Sequence, residues 1–324
     1  MKLFFLFISI ILSTGNIAAQ FTDSVTNRID SSYSYYRAYL STKKSHAFIK
    51  LVEPFKFITV KQKKNIVYSK VEKRRLLMDA FYPSDNKKPQ TAIIMIHGGG
   101  WRSGNRMQHY PLLQKLSSFG YTCFAPEYRL STEALFPAAV YDVKAAIRWV
   151  RANARQFNVD TNKIVIAGFS AGGELAAFMA TTANMPLFEG FGGNAKTSSK
   201  VNALIDIDGT LSFVHPESAE GNDEKKISAS TMWFGYNRKQ NLSLLTVASP
   251  LTHANRNTPP TLFINSSVDR MHAGRNDFIK ILDEHNIYSE VKEFEKSPHS
   301  FCLFEPWFEP TVETIDGFLK KVFL

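Results

Sequence analysis

Ile164-Val165-Ile166-Ala167-Gly168-Phe169-Ser170-Ala171-Gly172-Gly173 runs from an apolar stretch through a G-x-S-x-G pattern into the helix-forming residues Glu174 to Ala180. That pattern needs a strand, a tight turn and a helix to lift its serine clear of a sheet. Glycines at both flanks let the backbone bend tightly and leave the serine without bulky neighbours. The helix that begins beneath it aims free N–H groups and a positive dipole end at negative charge developing on an attacked carbonyl oxygen. The stretch predicts a nucleophilic Ser170; the plainer alternative is a glycine-rich strand-to-helix turn.

A second motif supports the first. The apolar run Ala92-Ile93-Ile94-Met95-Ile96 leads directly into His97-Gly98-Gly99-Gly100-Trp101, the kind of glycine loop whose amides stabilise an oxyanion in lipases and esterases. Without side chains in the way, a substrate carbonyl can reach backbone N–H groups, so Gly98 or Gly99 is expected to act with Ala171. His97 reads as a brace for this loop rather than as a base.

A third block, Glu127-Tyr128-Arg129-Leu130-Ser131-Thr132-Glu133-Ala134-Leu135-Phe136-Pro137-Ala138-Ala139, is followed by Asp142 and Trp149 on a helix. With these three blocks, residues 65 to 324 resemble the α/β-hydrolase superfamily. The branch is that of esterases related to hormone-sensitive lipase and to exported bacterial carbohydrate acetylesterases. The resemblance implies an α/β-hydrolase fold, with a mostly parallel central sheet, helices on both faces and lid insertions. It assigns Arg129 and Asp142 to structure. Its chain order of serine, acid, histidine places the acid after a late strand and the histidine after the last one. Thr261-Leu262-Phe263-Ile264-Asn265 reads as a buried strand whose following loop carries Asp269, and Tyr288 to Phe294 alternates like a final strand before His299. The expected triad is Ser170, Asp269 and His299. Glu305 is a fallback acid, Asp277 and Asp283 read as solvated helix residues, and Asp206 and Asp208 read as strand-end carboxylates rather than as metal ligands. Glu174 departs from many relatives, which carry histidine after the double glycine.

The 324 residues, 44% of them hydrophobic, suffice for one large domain. Helical stretches are expected at Gln108 to Phe119, Pro137 to Gln156 and Gly274 to His285, alternating with strands as in a parallel sheet with helices on both faces. Met1-Lys2, the apolar run Leu3 to Leu12 and Ala18-Ala19-Gln20 read as a signal peptide over 1–19, followed by an N-terminal extension over 20–64 and the hydrolase domain over 65–324. The apolar run is too short for a membrane span, so export to the periplasm or the extracellular space is expected. Cys123 and Cys302 could pair in that compartment or remain free. The net charge of +10 is concentrated in residues 37 to 75, which hold twelve Lys or Arg against Glu53 and Glu72. Such a surface suits an acidic polysaccharide; the alternative is a pair of solvated, charge-edged strands. No nucleic-acid module, metal motif or cofactor loop is present in the sequence, so neither a metal nor an organic cofactor is expected.

Two insertions, Asn184 to Lys200 and about Thr210 to Leu251, are expected to shape the pocket. Trp101, Trp233 and Trp307 are candidates for stacking on a sugar, and His253 and His272 for contacting substrate. The resemblance implies a serine esterase that removes acetyl groups from an acetylated poly- or oligosaccharide of xylan or pectin type. A feruloyl or short-chain carboxylesterase would share every catalytic residue, and the non-enzyme alternative is a catalytically silent binding module of the same fold. Oligomeric state is left open.

Overall fold

The computed structural model describes residues 24–85, 88–224 and 226–323; the expected signal peptide at 1–19 lies outside them. Eight strands form one sheet: β1 (Val60–Val71), β2 (Arg74–Pro83), β3 (Gln90–Ile96), β4 (Thr122–Pro126), β5 (Val159–Phe169), β6 (Ala203–Ile207), β7 (Thr261–Asn265) and β8 (Ser289–Glu293). Their spatial order is β1-β2-β4-β3-β5-β6-β7-β8. β2 runs antiparallel to both β1 and β4, and every other pairing is parallel. This is the mostly parallel sheet that the resemblance implied.

Strand sequence follows position in the sheet. The central β3 is buried from Ala92 through Ile96 and reads as an unbroken apolar run because helices cover both its faces. The edge strand β1 exposes Lys61, Lys63 and Lys64, charged residues that blunt an open edge against pairing with another chain.

On one face lie α2 (Ala138–Ala152), α3 (Ala171–Thr181) and α4 (Arg275–Glu284), which share a core with the side chains of Ile94, Ile166 and Phe263. On the other lie α1 (Tyr110–Ser118) and α5 (Phe308–Phe323), packed over Ile93, Val165 and Ile205. Cys123 and Cys302 are both buried in this second cluster as free thiols. Helix ends depart modestly from expectation. α1 is preceded by a separate 3-10 turn at Arg106–His109, and α2 ends at Ala152 before another at Ala154–Phe157.

The residues before β1 are part of this body. Ile49 joins the second core, Lys50–Leu51 pairs with Phe304–Glu305, and Asp30 bridges to Ser103 beside the glycine loop. The two insertions lie at opposite ends of the sheet, because one precedes a strand and the other follows it. Asn184 to Lys200 leads into the start of β6, and its Glu189 binds Arg148 of α2 at 2.9 Å, so it does not shape the pocket as expected. Thr210 to Leu251 leaves the C-terminal end of β6, the end at which open parallel sheets bind ligands.

Candidate active site

Ser170 caps α3 with φ 57° and ψ −123°, a left-handed backbone for a residue with a side chain, and its N–H donates to the Ile207 carbonyl at 2.8 Å. The turn is possible because Gly168 and Gly172 lack side chains. A Cβ on Gly168 would stand 1.9 Å from the Gly172 carbonyl oxygen, and one on Gly172 would stand 2.2 Å from that of Ile96. The flanking glycines therefore serve close approach of three backbone segments as well as bending.

His299, on the loop after β8, places Nε2 2.9 Å from Ser170 Oγ and Nδ1 2.8 Å from Asp208 Oδ2. A carboxylate can only accept, so Nδ1 carries the hydrogen and Nε2 offers its lone pair to the serine hydroxyl. Phe169 stacks against the imidazole at 4.8 Å and limits its rotation. Burial opposes charge on Asp208, but the imidazoles of His272 and His299, together with Ser266, outweigh it and hold the carboxyl down to about 2. The Ser266 N–H donates to Oδ1 at 2.7 Å, whereas His272 Nε2 stands 3.6 Å away, beyond a hydrogen bond.

The acid facing His299 is thus Asp208 and not Asp269. Asp208 follows β6, the sheet neighbour of the serine's own strand, while Asp269 follows β7, one strand further out. Asp269 is exposed on a short 3-10 turn and lines a different depression, with Glu217 and Glu293. The missed signal was Asp208-Gly209 at the end of a strand buried on both faces, where a carboxylate has to find a partner.

The glycine loop also differs in detail. Gly98 does not offer its N–H to substrate, because it donates to Gln108 Oε1 at 2.7 Å. Gly99, Gly100 and Ala171 line the pocket with Ser170, and among the described residues no protein group accepts their N–H hydrogens. Gln108 was not foreseen. It is aimed at Gly98 by the turn Arg106–His109, which Arg106 pins to Asp79 and Glu127 at 2.8 Å each. Its Nε2 donates to the Tyr33 hydroxyl at 2.8 Å, tying the loop to the N-terminal residues. His97 is a brace: it stacks on Tyr128 at 4.4 Å, and burial lowers it to about 4, so it stays neutral. Arg129, on the β4–α2 connection, pairs with Asp142 of α2 at 2.8 Å, away from the pocket.

Beneath the serine, Glu174 and Asp206 are both buried and both pushed well above the usual carboxylate range, chiefly by desolvation. Glu174 accepts from Trp101 Nε1 at 2.9 Å, and Asp206 accepts from the Gly209 N–H at 2.9 Å. Glu174 thus anchors the indole next to the glycine loop.

The expected sugar-stacking residues are largely used inside the fold. Trp101 borders the pocket but is 4% exposed, and its ring stacks at 4.9 Å on Trp233, which is fully buried. Trp307 packs against His46 and Phe48 in the second core. His253 sits at the far end of α3, where Nε2 bonds the Val247 carbonyl at 2.7 Å and its ring meets Phe178 and Phe188 edge-on. His272 lies behind Asp208 rather than in the pocket. The pocket of about 320 Å³ is instead walled by Ser32 and Tyr33 from the N-terminal residues, by Lys226, Ile227 and Met232 from the long insertion, and by Arg270. The insertion Thr210 to Leu251 thus shapes the pocket as expected, but through residues not named in the sequence reading, and Ser32, Tyr33 and Arg270 reach it from other parts of the chain.

Ser170, His299, Asp208 and three unpaired amides form the arrangement for nucleophilic attack on a carbonyl with an oxyanion held beside it. Esterase LipC of Mycobacterium tuberculosis is 34% identical over 188 residues, covering 56% of this chain and 45% of LipC. The probable carboxylic ester hydrolase LipM of the same organism is 29% identical over 208 residues, 64% of this chain and 46% of LipM. The chain spans about half the length of these relatives. Among solved structures, the propionate-bound esterase Est2 of Thermogutta terrifontis superposes with a TM-score of 0.66 at 27% identity, covering 82% of this chain and 95% of that one. A truncated carbohydrate esterase from gut microbiota gives 0.70 at 24%, covering 83% and 100%, a likeness of fold. A family model, BD-FAE, matches residues 78–273, more than half of the sequence. With its sheet order and strand-turn-helix serine, the chain belongs to the BD-FAE family and has the α/β-hydrolase fold.

Proposed function

We propose that this protein is an exported serine esterase that removes acetyl groups from a plant or algal polysaccharide of xylan or pectin type. The observation that carries the reaction class is the hydrogen-bonded chain from Ser170 Oγ through His299 to Asp208, at 2.9 and 2.8 Å. Ser170 attacks the ester carbonyl while His299 Nε2 takes its proton, Asp208 stabilises the imidazolium, and the Ala171, Gly99 and Gly100 amides receive the oxyanion. His299 then protonates the departing alcohol. Water repeats the sequence on the acyl-enzyme and releases acetate and free Ser170.

A short acyl group is supported by Est2, similar to this chain at 27% and 26% identity and solved with propionate and with butyrate bound. The saccharide follows from the motif resemblance, not from tryptophan platforms, which the fold uses internally. The test is to incubate the protein and its Ser170→Ala variant with acetylated xylan, acetylated pectin and feruloylated arabinoxylan, and to measure released acetate and ferulate. Acetate freed only by the wild type supports the proposal. Ferulate as the main product replaces it with a feruloyl esterase, and cleavage of a model aryl acetate alone removes the carbohydrate assignment. No Ser170-dependent cleavage of any ester leaves a silent binding module.

A further inference from the structure

The charges bordering the Ser170 pocket are unevenly matched. Among the described residues, Arg102, Lys226 and Arg270 open onto it, against the single carboxylate of Glu220. Arg102 is already neutralised from behind, its Nε 2.6 Å from Asp30 Oδ2. Glu220 is partly engaged, since Oε2 accepts from the Ser230 N–H at 3.1 Å, and its Oε1 stands 3.9 Å from Arg270 Nη1, too far for a hydrogen bond. The Arg270 side chain is half exposed. Lys226 is exposed, and among the described residues no acid pairs with it. Among the described residues, two exposed cations are thus left to one partly engaged carboxylate at the mouth of a pocket whose own acid, Asp208, is buried behind His299.

Cationic side chains around a concave site raise the local concentration of an anionic substrate and align its charge. Resting on the carbohydrate-ester reading above, we propose that the sugar portion of the substrate is acidic, with Lys226 and Arg270 receiving the carboxylate of a uronate residue near the acetylated hydroxyl. Both lie on segments leaving the C-terminal ends of strands, Lys226 after β6 and Arg270 after β7, so each reaches substrate without belonging to the serine's hydrogen-bonded chain. The net charge of +10 acts in the same direction at longer range.

The test compares acetylated oligogalacturonides with free carboxylates against the same oligomers as methyl esters. A second pair, 4-acetoxybenzoate and methyl 4-acetoxybenzoate, is normalised to the hydroxide-catalysed rates. At low salt, kcat/KM is expected to favour the carboxylate form by about tenfold, the scale of two exposed ion pairs. The ratio should fall toward one in 0.5 M NaCl and in the Lys226→Gln/Arg270→Gln double variant, and should invert in Arg270→Glu. Equal rates within both pairs, or a preference that the double variant retains, overturn the proposal. If neither oligosaccharide is cleaved while the aryl pair is, the carbohydrate reading fails, and the aryl ratio still decides the charge preference.

Discussion

Replacing Asp208 by asparagine should stop the reaction while leaving the fold in place, and replacing Asp269 by asparagine should leave both the reaction and the fold intact. Asp208 Oδ2 accepts from His299 Nδ1 at 2.8 Å, and Oδ1 accepts from the Ser266 N–H at 2.7 Å. An amide oxygen can keep one of these bonds, but an amide group facing Nδ1 favours the tautomer with hydrogen on Nε2, which leaves no lone pair for Ser170. Losing the buried negative charge also removes what stabilises the imidazolium. A loss in kcat of about 10⁴, or about 5.5 kcal/mol in the barrier, is the scale for that defect. Asp269 is exposed and does not contact His299, so its substitution should change kcat by less than about twofold. Steady-state hydrolysis of an aryl acetate measures both, with circular dichroism confirming that each variant is folded. The assignment is refuted if Asp208→Asn keeps more than about a tenth of wild-type kcat, or if Asp269→Asn falls as far.

Gln108→Ala strands the buried Gly98 N–H and should lower stability by about 1–3 kcal/mol and kcat by about tenfold; Gln108→Glu, which keeps the acceptor, should recover most of the activity. Because burial raises the Glu174 and Asp206 carboxyls, the folded protein binds more protons than the unfolded chain above about pH 4.5, so stability falls as pH rises, by up to about 1.4 kcal/mol per unit for each group. Glu174→Gln keeps an acceptor for Trp101 and should flatten that slope in urea titrations from pH 5 to 8; an unchanged slope would mean that Glu174 does not hold its proton. Gly172→Ala puts a methyl group against the Ile96 and His97 carbonyls, at 2.2 and 2.6 Å, and should cost about 3 kcal/mol or more by denaturant unfolding, with loss of the active turn.

The sequence alone determined what depends on neighbours along the chain. Ser170 and its glycines form one continuous strand-turn-helix, and the central strands are unbroken apolar runs, so local backbone need and burial wrote both directly into the residues. His299 was readable too, since it follows the final strand. Tertiary structure decided which distant groups meet them. Asp208 and Asp269 both follow buried strands, and only the sheet order places the first beside the serine's strand and the second one strand away. Gly98 looked as available as Gly99 until Gln108, ten residues later, folded back onto its N–H. The tryptophans carried the same large apolar area whether they served sugar or core, and side-chain chemistry cannot separate those uses. Trp101 on Trp233, Trp307 against Phe48 and the cations around Ser170 are settled by loops from separate parts of the chain converging at one end of the sheet or folding beneath it.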